Sequence, residues 1–254
     1  MDWLRLGLGA FGAAAMGLLS RRLGWLNAAA AWTAAVVGFA CFGFGGWPVA
    51  LPLLTFFTTS TLLGRLPVAG DHRKHGTRNA HQVLANGGMA ALASVLAALG
   101  AGEAALAAAS GALAAANADT WATEIGTRLG GTPRQLALGR AVPRGASGGM
   151  TAVGLVGGAA GALVVALVGA STGLAHWSAV FCGGVVGMVA DSVVGGTLQA
   201  LYRCPSCGKS TEDRVHDCVT PLVLVRGLPW LDNDGVNLTA TVVGALVTAA
   251  ILAR

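Results

Sequence analysis

This sequence predicts an all-α bundle that crosses a membrane about eight times, and three observations predict it. The 254-residue chain is 54% hydrophobic and 11% charged, with a mean hydropathy of +0.67, whereas soluble domains carry about 25% charge. Apolar stretches near span length recur from end to end, over 3–19, 25–45, 47–63, 83–100, 104–125, 149–170, 175–201 and 236–252, against the ~20 residues a straight span needs. Lysine and arginine fall almost entirely into alternate connections. With 39 glycines and abundant alanine, the spans can approach closely, as small residues at helix interfaces allow.

The first stretch resembles a signal peptide, but Asp2 weakens its leading region and a retained helix is expected. The odd-numbered connections, near 20–24, 64–82, 126–148 and 202–235, carry Arg21, Arg22, Arg65, Arg73, Lys74, Arg78, Arg128, Arg134, Arg140, Arg144, Arg203, Lys209, Arg214 and Arg226. Only Arg5 and Arg254 lie opposite. The excess of positive charge on internal loops makes that side cytoplasmic and both termini external, as in a bacterial-type inner membrane. Trp3, Trp25, Trp47, Trp177 and Trp230 fall near span ends, where aromatic side chains collect. The expectation is one integral membrane domain over 1–254 with a cytoplasmic loop insertion at 202–235.

The fifth span ends in Asn117-Ala-Asp119-Thr120-Trp-Ala-Thr123-Glu124. A carboxylate in hydrocarbon costs roughly 2.5–3.5 kcal/mol on insertion scales, so these acids point to a polar or metal site within the bundle. Asn117, Thr120 and Glu124 share one helical face. Asp119 and Glu124 are about 140° apart on an ideal helix, so one ion can bind both only if the helix breaks or other helices contribute. Asp191, beside Ser192 in the seventh span, is expected near mid-membrane, about 18 Å from Arg203.

Ala118-Asp119-Thr120 and Ala190-Asp191-Ser192 each follow a basic loop, a Gly-Gly-Met and a helix, which suggests an internal repeat with an insertion in its second copy. Gly87-Gly88 and Gly148-Gly149 are expected to open helices whose N-termini bind phosphate. Arg78, His81, Asn86, Arg144 and Ser147 lie just before them. At the last span, Asp232 and Asp234, with Asn233 and Asn237, could meet a hard cation or cap the helix. Cys204-x-x-Cys207 with His216 and Cys218 has the composition of a structural Zn²⁺ site, and a cytoplasmic position disfavours a disulfide. Two nucleotide motifs fail. Gly7-x-Gly9-x-x-Gly12 lies inside a span, and the lysine of Gly208-Lys209-Ser210 lacks the glycine a phosphate loop needs at Arg203.

Together, RNAHQVLANGG (78–88), NADTWATEIG (117–126), GASGGM (145–150), ADSVVGGTLQ (190–199), RCPSCGK (203–209) and LDNDGVN (231–237) resemble the membrane family known as domain of unknown function 92, the transmembrane-protein-19-like proteins. That family is similar to plant phytyl-phosphate kinase and distantly to CTP-using membrane enzymes. The resemblance implies phosphoryl transfer from CTP or ATP to a prenyl-type lipid phosphate. Asp119, Glu124 and Asp191 would hold Mg²⁺ as catalytic residues, and Asp234 or Asp232 would complete the metal site. Substrate contacts would come from Arg78, Asn86, Gly87, Asn117, Thr120, Thr123, Arg144, Ser147, Gly148, Ser192, Asn233 and Asn237. The partners implied are a lipid phosphate and a nucleotide, without nucleic acid, and a homo-oligomer is left open. The rival readings are a cation-coupled transporter or lipid scramblase, for which intramembrane acids also serve, and a non-catalytic assembly protein docking through its cysteine loop.

Overall fold

In the computed structural model, residues 3–66, 76–174, 176–215, 217–218 and 220–254 are described. The helices are α1 (Trp3–Arg22), α2 (Ala28–Gly45), α3 (Trp47–Gly64), α4 (Ala80–Leu96), α5 (Gly102–Leu129), α6 (Ala152–Ser171), α7 (Trp177–Thr197) and α8 (Asn233–Leu252). Seven helical runs among the described residues are long and apolar enough to cross a membrane. One of them, Ala80–Leu129, has 50 residues, which as a straight helix would extend about 75 Å across a hydrocarbon core of about 30 Å. It instead reverses through a π-turn at Ala97–Ala101, where Gly100 and Gly102 take φ of +112° and +65°, and α4 packs back against α5. That run therefore folds into two helices packed side by side, and the described residues hold eight long helices.

Helix starts differ from the hydropathy reading because polar caps precede the apolar residues. Asn79 caps α4 in a reciprocal box with Gln82, Thr151 caps α6 through Gly154 N, and Asp232 caps α8 through Gly235 N. Each satisfies N–H groups that the first turn leaves without partners.

The centre of the bundle is α5, which packs against α3, α4, α6, α7 and α8. Every residue from Ala107 to Ala118 is buried, and Leu113 is the only large one. A helix this thin lets five neighbours close around it. Gly111 of α5, Gly183 of α7 and Gly244 of α8 meet at one level; a Cβ on Gly244 would lie 2.7 Å from Gly111 O and 2.8 Å from Ala115 Cβ. On the α6 side, a Cβ on Gly158 would lie 2.8 Å from Ala118 O. Large apolar side chains such as Trp3, Phe11, Trp32 and Leu99 face outward, as expected where lipid is the solvent. Gly244→Leu should therefore destabilise the detergent-solubilised protein by roughly 1–3 kcal/mol through overpacking. Gly7→Leu, whose Cβ would meet nothing within 4 Å, should leave the thermal midpoint nearly unchanged.

At one end the connections form a cap of short strands: β1 (Arg134–Gln135) pairs with β2 (Gly149–Met150), and β3 (Leu201–Arg203) lies between β4 (Ser210–Thr211) and β5 (Val223–Arg226). The arginines gathered here satisfy carbonyls at helix ends and turns. Arg65 Nη2 donates to Gly24 O, Arg144 Nη2 to Gly130 O and Arg226 Nη2 to Gly195 O, while Arg128 reaches Leu66 O. Arginine suits helix C-termini because the last carbonyls lack partners and carry negative partial charge.

Candidate functional site: an acidic pair between α5 and α7

Ten residues before its end, about 15 Å along the axis, α5 presents Asp119. Six residues before its own end, about 9 Å, α7 presents Asp191. The two helices run the same way toward the basic end and pack directly. They bring the two carboxyl groups within hydrogen-bonding reach of each other. Asp191 is shallower than the mid-membrane position expected from its distance to Arg203, because α7 stops at Thr197 and the chain continues as β3. Asp191 Oδ2 is buried without a hydrogen-bond partner. Two carboxyl groups in contact within the bundle repel each other unless a proton or a cation lies between them, and the orphaned oxygen leaves one acceptor site open. A hard divalent cation, which takes carboxylate oxygens, fits this donor set.

Glu124 does not join the pair. It accepts from Arg128 one helical turn on, in an ion pair, and lies against Gly64 at the end of α3. Arg78 is its further cationic neighbour. The 140° offset read from the sequence therefore separates two environments. Asp119 faces α7, and Glu124 faces an arginine cluster beside α3.

Several expected contacts have structural roles. Asn117 is fully buried; its Oδ1 accepts from Thr59 Oγ1 (3.0 Å) and Ser60 Oγ (3.1 Å), and its Nδ2 donates to Gly161 O (2.8 Å). It thereby ties α3 and α6 to α5. Thr120 Oγ1 donates to Ala116 O. The glycine pairs do not open helices. Gly87 lies inside α4, where a Cβ would meet Val37 of α2 at 2.9 Å. Gly148 lies in the turn before α6 with φ +77°, pressed onto the Gly196 backbone. The two Gly-Gly-Met segments thus occupy different structural positions, although the aspartates of the suggested repeat do meet. Asn86 Nδ2 donates to Gln82 O within α4. Thr123 is exposed and Ser192 buried, on the helices that carry the pair. At the α8 entrance, Asp234 has Asp232 and His81 as its charged neighbours, with Asn233 exposed and Asn237 half-buried nearby on the helix.

Sequence reading missed Glu212. It accepts from Ser147 N (3.1 Å), Ser147 Oγ (2.7 Å) and Gln199 Nε2 (2.9 Å), joining the loop before α6 to the segment after α7. Gln135, also unforeseen, donates to Gly196 O. Neither loop has a periodicity that would mark these partners.

Beside this clamp, the Sγ atoms of Cys204, Cys207 and Cys218 lie within 4.8 Å of one another and could hold a metal ion. Gly208, at φ +73°, allows the tight turn in which Gly208 N donates to Cys204 O and Cys204 N to Lys209 O. Backbone N–H groups of Cys207 and Ser206 hold the Cys204 thiol below its ordinary pKa. Cys207 and Cys204 push that of Cys218 up to about 11. Thiols crowded in this way are relieved by a shared cation, which binds the thiolate. The expected fourth ligand, His216, lies outside the described residues.

With this geometry in view, the family pattern of the integral membrane protein DUF92 matches residues 11–245. The chain belongs to that family. Protein PGR of Arabidopsis thaliana is 28% identical over 232 residues, covering 78% of this chain and 79% of its own. An uncharacterized membrane protein of Methanocaldococcus jannaschii is 27% identical over 218 residues, 84% and 79% of the two chains. One from Synechocystis is 26% identical over 230 residues, 87% and 79%. No solved structure matches. This DUF92 protein is thus an integral membrane protein with eight long helices among its described residues, an acidic pair inside the bundle and a cysteine cluster at its basic end.

Proposed function

We propose that this DUF92 protein is a Mg²⁺-dependent phosphotransferase that moves the terminal phosphoryl group of CTP or ATP onto a prenyl-type lipid monophosphate. The observation that supports it is the contact between Asp119 and Asp191, with an orphaned carboxylate oxygen, near the basic end of a membrane bundle. Those two aspartates would hold the cation. When bound, Mg²⁺ neutralises charge on the transferring phosphates. An oxygen of the lipid monophosphate forms the new bond to the terminal phosphorus, the bond to the nucleotide's bridging oxygen breaks, and the nucleoside diphosphate leaves. The acceptor is already ionised near neutral pH, its second pKa being about 6, so no general base is required. Asp232 and Asp234 lie on the nucleotide's approach at the α8 entrance. Glu124 serves the site indirectly by ordering Arg128 and the neighbouring arginine cluster.

The basic end is cytoplasmic on this reading, by the positive-inside rule, which is also where nucleotide is available. The three cysteines would hold a structural Zn²⁺, which would tie down the loop carrying Glu212.

Reconstituted protein should consume CTP or ATP only with Mg²⁺ and a prenyl monophosphate, yielding a labelled lipid diphosphate from γ-labelled nucleotide. No stimulation across a panel of lipid phosphates would overturn the reading and favour cation-coupled transport.

A further inference from the structure

The first helix packs on α2 and leaves an apolar groove of about 510 Å³ between α1, α2, α3 and the start of α4. It extends along α1 from Leu8 to Ser20, about 18 Å of helix axis. Its lining is apolar or glycine except for Ser20, Arg78, Gln82 and Asn86. The first three belong to or adjoin the basic end. Ser20 is 1% exposed, yet its Oγ has no hydrogen-bond partner. Arg78 is anchored through its backbone, which exchanges hydrogen bonds with Trp25 O and Asn27 N. Its guanidinium lies 5.9 Å from the centre of the Phe56 ring and has no side-chain hydrogen bond among the described residues. Gln82 uses its Oε1 on Asn79 N, which leaves its amide N–H groups as donors. Glu124, the acidic neighbour of Arg78, is already paired with Arg128.

A long apolar channel ending in a hydroxyl, an amide and a cation is complementary to a particular chemistry. A buried donor without a partner, as at Ser20, is costly, and an anion supplies acceptors for it and for the half-buried Arg78 and Gln82. A charge-assisted guanidinium–phosphate contact suits arginine's planar fork. The channel's apolar walls favour burial of hydrocarbon, and its volume falls within the range of about 300–1,000 Å³ of small-ligand pockets.

We infer that this groove binds a single-chain lipid phosphate monoester, with its phosphate on Arg78, Ser20 and Gln82 and its chain between α1 and α3. The groove lies on the α3–α4 flank of α5, and the acidic pair on the α7 flank. Binding here stands on the groove alone; that the bound lipid is the phosphoryl acceptor rests on the function proposed above.

The test is binding to purified protein without nucleotide or Mg²⁺, by native mass spectrometry or calorimetry. The probes are a C20 isoprenyl monophosphate, the corresponding alcohol, phosphatidylglycerol and inorganic phosphate. The monophosphate should bind at least tenfold tighter than the alcohol, and Arg78→Gln should erase that difference while leaving alcohol binding unchanged. Arg78→Lys should restore part of it. Gly12→Leu, whose Cβ enters open space, should weaken monophosphate and alcohol alike. Unchanged monophosphate binding in Arg78→Gln would overturn the assignment. So would inorganic phosphate binding as tightly, or phosphatidylglycerol binding with the same dependence on Arg78. Arg78-dependent binding in a protein that consumes no nucleotide would retain the groove and remove the phosphotransferase. Turnover with binding indifferent to Arg78 would do the reverse.

Discussion

Asp119→Asn should lose Mg²⁺-dependent phosphoryl transfer by about 10³-fold, the loss expected when several kcal/mol of charge stabilisation disappear. Asp191→Asn should do the same, and the double variant should be little worse than either, because residues acting as one unit are not additive. The fold should survive. Replacing one member of the pair with an amide relieves the repulsion between two carboxyl groups and keeps a hydrogen bond available to the other, so without Mg²⁺ the variants should melt at or above the wild-type temperature. Mg²⁺ at 100 times its Kd should stabilise wild type by about 2.7 kcal/mol, and this gain should vanish in both variants. Near-normal turnover in Asp119→Asn, or an unchanged Mg²⁺ shift, would remove the acidic pair from the chemistry. Glu124→Gln provides the contrast. Its carboxylate is committed to Arg128 beside α3, so it should impair activity less and leave the Mg²⁺ shift intact.

Purified protein should carry about one zinc per chain, and Cys204→Ser should release it. Structural zinc contributes about 10–16 kcal/mol to small domains that depend on it, but here the helix bundle packs independently of the cysteine loop. The thermal midpoint of the bundle should therefore move little, while the 203–226 segment becomes open to proteolysis. Loosening that segment also frees Glu212 from Ser147 and Gln199, so activity should fall with the metal. A strong chelator should reproduce both effects, and zinc should reverse them. Metal-free protein with an ordered, protease-resistant loop would show that the three thiols pack together without an ion.

The bundle was legible because hydropathy and helix length are local properties. The caps were not: Asn79 stands outside the apolar count, so that predicted span began late, at 83, while Thr151 was absorbed into a predicted span that began early, at 149, although α6 starts only after it. The error at the glycine pairs has the same origin. Two identical Gly-Gly-Met strings look equivalent in sequence. Yet Gly87 is needed for α4 to approach Val37, and Gly148 for a positive-φ turn against Gly196. Asn117 was singled out for its polarity, but only its surroundings reveal a three-helix tie rather than a substrate contact.

By itself the sequence determined that the chain crosses a membrane, which connections are basic, and that acids within spans must find partners, since each of these follows from the cost of placing a residue type in hydrocarbon. Tertiary structure decided who those partners are. Asp119 meets Asp191 and Glu124 meets Arg128 because the rotation of α5 among five neighbours sets the direction of each side chain. That rotation depends on how small residues from separate helices interlock, which no single stretch of sequence encodes.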